Sequence, residues 1–197
     1  RGQTFTMEAG KVTPGSFYQK YGYTFGAYGE GLKPIIQKVG SSTAPLIKDG
    51  TTGLAHFAMM DLEFRCVSPE GIASGEVFAG TAQAFNLLFL RVDVYGCNRA
   101  FGFSGDAADR RIDGVFIVDC NIYNASNTMI FARAHRFAML NNSLDYSQDH
   151  LVYTSYMDRA VFAGNAFSRP AFGRVALRVS AEDADESADE DDDEADD

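Results

Sequence analysis

The stretch "RFAMLNNSLDYSQDHLVYTSYMDRAVFAGNAF", residues 136–167, contains nearly the same short apolar phrase twice. "FAMLNNSL" is followed 23 residues later by "AVFAGNAF", and both phrases have an asparagine at the sixth place, Asn142 and Asn165. Recurrence of one phrase at a nearly constant interval predicts similar structural units that stack on one another.

The same template fits five segments: apolar, any, apolar, two residues, small or Asn, any, apolar. The four template positions are occupied in chain order by Phe57-Met59-Leu62-Phe64, Leu87-Phe89-Val92-Val94, Val115-Ile117-Cys120-Ile122, Phe137-Met139-Asn142-Leu144 and Ala160-Phe162-Asn165-Phe167. Apolar residues alternate within each copy, as in a β-strand, and the two-residue break shifts the alternation as a tight bend does. From one copy to the next the chain advances by 22 to 30 residues.

A second column of apolar pairs follows the template at a nearly constant offset: Phe101-Phe103, Met129-Phe131, Leu151-Tyr153 and Val175-Leu177. Each turn of the chain, called a coil below, is therefore predicted to contain three short strands. The steps are too long for a meander of hairpins, so we expect each coil to stack on the last with parallel strands about 4.8 Å apart. The predicted fold class is all-β, a parallel β-helix or solenoid in which equivalent side chains such as Leu87 and Val115 lie over one another.

The recurring asparagine predicts a hydrogen-bonded ladder at one bend of the coil. Asn142 and Asn165 fall at equivalent bends one coil apart, where each can bond the backbone of the bend and the amide of the other. Val92 and Cys120 occupy this position in earlier coils, so the ladder is expected to be partial.

Other fold classes fit less well. Stretches such as "GVFIVDCNIYN", residues 114–124, are rich in β-branched and aromatic residues and lack a helical period of about 3.6 residues. A β-sandwich needs turn signals about every 8–12 residues, but Asp-Gly pairs occur only at residues 49–50 and 113–114, and Asn-Gly pairs do not occur.

The net charge of −10 is concentrated at the end of the chain. Residues 182–197, "EDADESADEDDDEADD", hold 12 of the 27 acidic residues and no basic one, which leaves 15 acidic against 17 basic residues elsewhere. This composition predicts a disordered acidic tail over 181–197 and a β-helix domain over 1–180. Cys66, Cys97 and Cys120 lack metal-ligand spacing and are expected in the core, and no apolar run is long enough to span a membrane.

Together with the coil pattern, two further phrases resemble the right-handed parallel β-helix proteins of the pectate-lyase-like superfamily. "YTFGAYGEGLKPII", residues 23–36, is similar to a first-coil element of secreted polysaccharide-degrading β-helix proteins, and "DHLVY", residues 149–153, is similar to a strand entry of their repeat. The resemblance implies a right-handed helix and a secreted or cell-surface location. Residues 1–10 look like the start of a first coil, so an N-terminal cap is expected to be missing from the sequence.

The resemblance also implies a substrate groove along the second column. The candidate catalytic residues there are His150, Arg174, Arg133 and Tyr156, and the candidate substrate-binding residues are Asp149, Thr154, Arg178, His135 and Asp106. The groove is expected to be lined by Gly102, Ile130, Val152 and Ala176.

β-Elimination on a uronic-acid polymer needs a cation beside the carboxylate, a base for the α-proton and a donor for the leaving oxygen. We predict Arg174, Arg178 or Arg133 as the cation. His150 or an arginine would be the base, and Tyr156 the donor. The alternative, in which His150 caps a turn and the arginines are ordinary surface residues, stays open. Hydrolysis is disfavoured because the required pair of nearby carboxylates is not evident.

A second acidic group flanks the bend on another face: Asp61, Glu63, Asp93 and Asp119. Carboxylates of this kind can bind Ca²⁺, and no other cofactor is predicted. Pairing of Asp93 and Glu63 with Arg91 in a surface network is the alternative. The three histidines have no ligand spacing, so no transition-metal site is predicted.

One face of the predicted helix carries outward apolar residues: Met60, Leu88, Leu90, Phe116, Val118 and Leu140. Such a stripe exceeds what monomers usually expose, so either a second subunit of a homo-oligomer or a segment preceding Arg1 is expected to cover it.

The sequence therefore predicts a β-helix protein that engages polysaccharide, with lyase-like activity on uronic-acid glycans as the leading interpretation. A non-catalytic surface or adhesion module, binding glycans or partner subunits, is the alternative. Nucleic acid is not a predicted partner.

Overall fold

A computed structural model of the chain describes residues 2–8, 22–40, 42–49, 54–66, 75–81, 83–105 and 112–180. Regular structure within these ranges consists of 19 β-strands. Across the same ranges, nothing helical is long and apolar enough to cross a membrane. The predicted acidic tail and Asp106 lie outside the described residues.

The strands form three sheets in which every pairing is parallel. Sheet C contains β2 (Tyr23–Gly26), β5 (Leu54–Met60), β8 (Ala84–Leu90), β11 (Ile112–Val118), β14 (Arg136–Leu140) and β17 (Arg159–Ala163). Sheet A contains β1 (Thr4–Glu8), β3 (Ile35–Val39), β6 (Glu63–Arg65), β9 (Asp93–Cys97), β12 (Asn121–Ala125), β15 (Ser143–Ser147) and β18 (Ala166–Ser168). Sheet B contains β4 (Ile47–Lys48), β7 (Glu76–Gly80), β10 (Arg99–Ser104), β13 (Ile130–Arg133), β16 (Val152–Ser155) and β19 (Leu177–Ser180).

From β2 to β16, each strand pairs with the strand three places further along the chain. The chain thus visits sheets C, A and B in turn, and each visit adds one strand to the edge of a sheet. This all-β arrangement is compatible with the predicted parallel β-helix.

The predicted stacks are confirmed by the register of sheet C. Phe57 pairs with Leu87, Leu87 with Val115 and Val115 with Phe137. These four side chains are at most 3% exposed and belong to one continuous apolar core. The next residue of the stack, Ala160, is exposed because it belongs to the last coil of the described chain.

The structure contains one further copy of the template. Tyr23 and Phe25 pair with Phe57 and Met59, the first positions of the next coil. This copy is hidden in the sequence because the eight residues between β2 and β3 replace the usual two-residue bend. The segment predicted to begin a first coil supplies β1, which pairs with β3 at the edge of sheet A.

The two-residue break of the template is a left-handed bend between sheets C and A. The first bend residue has φ between 51° and 66° in five successive coils, at Asp61, Arg91, Asp119, Asn141 and Gly164. Its N–H donates to the next coil, as from Arg91 to the carbonyl oxygen of Val118 at 2.9 Å. Because the bend reverses the direction of the side chains, the second bend residue points into the core.

Asn142 occupies this inward position and is 1% exposed. Its amide nitrogen donates to the carbonyl oxygen of Ile117 and to Oδ1 of Asn165, each at 2.9 Å. Its own Oδ1 accepts the N–H of Cys120 at 2.9 Å. One coil earlier, the Cys120 thiol occupies the equivalent place and accepts the N–H of Val92 at 3.4 Å.

The register predicted for the second column is wrong by one residue. Phe101 pairs with Ile130, not Met129, and Ile130 pairs with Val152. The corner between sheets A and B breaks the alternation, so that Met129 and Ile130 are both fully buried. A one-residue shift exchanges the two faces of a strand.

Ile130 and Val152, predicted to line the groove, therefore face the core. Phe131 and Tyr153, which belong to the predicted column of apolar pairs, point outward from sheet B.

The apolar stripe lies on the outer face of sheet C, as predicted. Met60, Leu90, Val118 and Leu140 form one outward column, and Leu88 pairs with Phe116 beside it. Phe116 is 41% exposed and the other members are half-buried. What covers this face stays a prediction.

Candidate functional site

The outer face of sheet B carries a column of aromatic and cationic side chains. Strand register places Gly102, Phe131, Tyr153 and Arg178 at successive levels of this column. They alternate along their strands with buried residues such as Ile130, and this alternation directs them outward. The rings of Phe131 and Tyr153 lie 5.5 Å apart, centre to centre, and are inclined by 49°.

Three guanidinium groups lie on the rings of this face. That of Arg99 is 5.2 Å from the centre of Phe131, and that of Arg178 is 5.1 Å from the centre of Tyr153. The Arg133 guanidinium lies over Phe131 at 5.6 Å and over Tyr156 at 5.4 Å. Cation–π attraction favours these positions, and a stacked guanidinium keeps its N–H donors at its perimeter, where a carboxylate can accept two of them.

Glu76 and Arg99 form an ion pair at the side of the column. Nη1 of Arg99 lies 3.0 Å from Oε1 of Glu76. Gly102 leaves room for this pair, because a Cβ there would lie 3.2 Å from Oε2 of Glu76 and 3.3 Å from Cδ of Arg99. Burial raises the pKa of the Glu76 carboxyl, and the charge of Arg99 opposes part of that rise. The Nε of Arg99 is buried and has no hydrogen-bond partner among the described residues.

Three of the predicted residues meet at the corner where the chain enters sheet B. Asp149 lies 3.1 Å from Nε of Arg174 and 3.9 Å from Nε2 of His150, and it accepts the Thr128 hydroxyl at 2.8 Å. His150 is 7% exposed, and its Nδ1 lies 3.1 Å from the carbonyl oxygen of Val175. Asp149 thus bridges His150 and Arg174.

Three more of the predicted residues, Arg133, His135 and Tyr156, lie at or just beyond the other end of the sheet B strands. Nε of Arg133 donates to the Ser155 hydroxyl at 3.3 Å. Tyr156 is 44% exposed and has a φ of 54°. Nδ1 of His135 lies 2.6 Å from a carboxylate oxygen of Asp158. The structure therefore divides the predicted residues between a corner at Asp149 and an open face at Arg133, and their catalytic and binding roles stay predictions.

Thr154 does not lie on the open face. It was predicted to contact substrate, but its side chain is fully buried and its hydroxyl donates to the carbonyl oxygen of Arg178 at 3.4 Å. The reason is again the register, since Thr154 pairs with the buried Ala132.

Three of the four candidate calcium ligands are held by cations in separate pairs. Arg91 bonds both carboxylate oxygens of Asp61 at 2.7 and 2.8 Å, rather than the predicted Glu63 or Asp93. Glu63 pairs with Arg65 at 2.6 Å and Asp93 with Lys33 at 2.7 Å. The hydrogen bonds with Asp61 raise the pKa of the Arg91 guanidinium, and the negative charge of Asp119 adds to the rise. No group of three or more His, Cys, Asp or Glu side chains in the described part of the chain could hold a metal ion.

Four residues of the sheet B face were not identified from the sequence as candidates: Glu76, Arg99, Phe131 and Tyr153. Phe131 and Tyr153 were placed in the column of apolar pairs and not among the candidate contacts. Glu76 and Arg99 could have been found from the sequence. They open the similar segments "EVFAG" and "RAFGF" and carry opposite charges at equivalent positions one coil apart.

Comparison with known proteins found no matching family model, no matching curated protein and no matching solved structure.

Proposed function

We propose that this chain is a secreted or cell-surface right-handed parallel β-helix that binds an acidic, uronic-acid-containing polysaccharide along the outer face of sheet B. Three parallel sheets visited in a fixed order support the β-helix, and about 98% of parallel crossover connections are right-handed. The likeness of residues 23–36 and 149–153 to pectate-lyase-like proteins supports the same fold.

The observation that carries the proposed ligand is the column of Phe131 and Tyr153 with Arg99, Arg133 and Arg178 stacked on its rings. Aromatic faces offer contact area to the apolar faces of sugar rings. Guanidinium groups beside them supply paired donors for sugar carboxylates. The column crosses several strands, so a linear polymer lying on it would run along the stack of coils.

The charge of this face also favours an acidic ligand. The whole chain has a net charge of −10, which would repel a polyanion at long range. The sheet B face nevertheless carries three arginines and one acidic residue, Glu76. Its local charge is therefore positive and attracts a polyanion at short range. Binding through these arginines should weaken as salt screens the exposed charges.

The proposal is tested by calorimetry of the full chain with polygalacturonate and with its fully methyl-esterified form. We expect binding of the acidic polymer that weakens with added salt, and at least about tenfold weaker binding of the esterified polymer, because the loss of one charge-assisted contact is worth about this factor. Equal affinity for both polymers would contradict the proposal.

A second candidate function is β-elimination on the bound polymer, and the Arg133–Tyr156 contact favours it. It places a cation and an exposed phenol side by side on the face, and Glu76 adds a carboxyl base whose raised pKa suits proton abstraction. A lyase would release unsaturated product that absorbs in the ultraviolet, and Tyr156→Phe would lower its rate while leaving binding intact. Binding without product would favour the non-catalytic surface or adhesion module.

A further inference from the structure

Sheet A carries a second, separate aromatic column on its outer face. Tyr95 and Tyr123 pair in register on neighbouring strands, and Tyr146 lies at the next level. Their ring centres are 6.3 and 6.4 Å apart, and each side chain is exposed by 41% to 43%. Tyr95 and Tyr123 point outward because they alternate with buried Val94 and Ile122, whereas Tyr146 reaches the surface through a left-handed backbone with a φ of 63°.

A cleft of about 450 Å³ opens at the N-terminal end of this column. Its lining includes Leu32, Lys33, Glu63, Arg65 and Asp93. The cleft and the tyrosine column are continuous, because Arg65 pairs in register with Tyr95 and Asp93 lies on the same strand as Tyr95. A cleft of this volume is in the usual range for small-molecule sites.

The charges on this face neutralise one another. Lys33 pairs with Asp93 at 2.7 Å and Arg65 with Glu63 at 2.6 Å. At the other end Arg169 forms an ion pair with Asp145 and lies over the ring of Tyr146 at 5.5 Å. The outer face of sheet A therefore presents aromatic rings, hydroxyls and amides, and it lacks the surplus of positive charge found on sheet B.

From this juxtaposition we infer that sheet A binds a neutral linear oligosaccharide, which lies in the cleft and extends over Tyr95 and Tyr123 toward Tyr146. Tyrosine combines a ring face for stacking with a hydroxyl that bonds to sugar hydroxyls. The paired side chains in the cleft supply further donors and acceptors. Beside the cleft, the Asn121 amide donates to Asp93 at 2.8 Å.

The same features disfavour other ligands. A nucleic acid would need a surplus of cations to neutralise its phosphates, and the cations of this face are paired. A peptide that extends a sheet needs a free strand edge, whereas β9, β12 and β15 each have a strand on both sides.

The inference goes beyond the proposed function of sheet B and is tested separately from it. The probes are cellohexaose, xylohexaose and mannohexaose, with hexagalacturonate as the acidic comparison. The chain has nine tyrosines and no tryptophan, so its fluorescence comes from tyrosine and the variants assign any change to one face. Calorimetry gives the affinity. The Tyr95→Ala/Tyr123→Ala variant is compared with Phe131→Ala/Tyr153→Ala on sheet B and with Phe116→Ala, an equally exposed aromatic on sheet C.

We expect at least one neutral hexasaccharide to bind the unaltered chain and to bind Tyr95→Ala/Tyr123→Ala at least about tenfold more weakly, because two stacking rings are lost. Tyr123→Phe, which keeps the ring, should retain most of the affinity. Failure of all three neutral probes to bind, or binding that is lost in the sheet B variant and kept in the sheet A variant, overturns the inference. Loss of hexagalacturonate binding alone affects only the sheet B proposal.

Discussion

The side-chain oxygen of Asn165 accepts two hydrogen bonds from Asn142, one from its backbone N–H at 3.0 Å and one from its side-chain amide at 2.9 Å. Two residues 23 positions apart in the chain are thus joined directly across neighbouring coils. Asn165 also donates to the carbonyl oxygen of Met139 at 2.9 Å. The asparagine that recurs in the sequence therefore hydrogen-bonds buried backbone groups at the bend of each of these two coils.

Asn142→Ala should lower the free energy of unfolding by about 1–3 kcal/mol, because the buried Cys120 N–H would lose its hydrogen bond to Asn142 and the Ile117 carbonyl would lose the one from the Asn142 amide. Chemical denaturation measures this loss. Asn121→Ala is the matched control, since it removes an exposed amide on sheet A and should cost no more than about 0.5 kcal/mol. Equal losses in the two variants would contradict the role assigned to Asn142.

The three cysteines should be unreactive in the folded protein. Cys66, Cys97 and Cys120 are free thiols that are at most 1% exposed. Burial raises the pKa of Cys66 and Cys120 to about 12 and raises that of Cys97 as well, so the reactive thiolate is scarce at mildly alkaline pH.

Titration with dithionitrobenzoate should detect no fast thiol in the native chain and all three after unfolding. Val161→Cys, which places a thiol on the exposed face of sheet C, should add one fast thiol. A native cysteine that reacts as fast as that added thiol would contradict the buried core.

The stabilisation that the Asp145–Arg169 ion pair gives to the folded protein should be lost at acidic pH. The hydrogen-bonded Arg169 guanidinium, followed by the Ser168 hydroxyl, lowers the pKa of Asp145 from 3.8 to about 2. A carboxyl whose pKa is lower in the folded state contributes stability above the unfolded pKa, and that contribution is lost as the pH falls through the folded value.

The difference in free energy of unfolding between the unaltered chain and Asp145→Asn should therefore shrink as the pH falls from about 4 to about 2. Denaturation curves at several pH values measure it. A difference that does not change over this range would show that the pair does not form in solution.

Much of the fold could be predicted because side-chain periodicity was unbroken in sheet C. The stack from Phe57 to Phe137, the bend before Asn142 and the outward apolar stripe all follow from alternation along one strand and a bend of fixed length. The copy at Tyr23 was missed because eight residues, instead of two, separate its first strand from the next, so the segment does not match the spacing of the template.

The candidate site could be predicted only in part, because the sequence does not show how the strands of sheet B are aligned after the corner between sheets A and B. Met129 is as apolar as Ile130, so sequence alone cannot decide which begins the alternation on sheet B. The structure shows that both are buried, which places Phe131 outside and Thr154 inside. The pair of Glu76 and Arg99 fits because Gly102 has no side chain there. Sequence periodicity does not predict a packing contact of this kind.

The most direct test of sheet B as the ligand-binding face is a calorimetric titration of hexagalacturonate into the unaltered chain, Phe131→Ala/Arg178→Ala and the sheet C control Phe116→Ala. We predict binding by the unaltered chain, unchanged affinity in Phe116→Ala, and at least about tenfold weaker binding in Phe131→Ala/Arg178→Ala, because a stacking ring and a cation are both removed. Absence of binding to the unaltered chain, or the same affinity in all three proteins, would contradict the proposal.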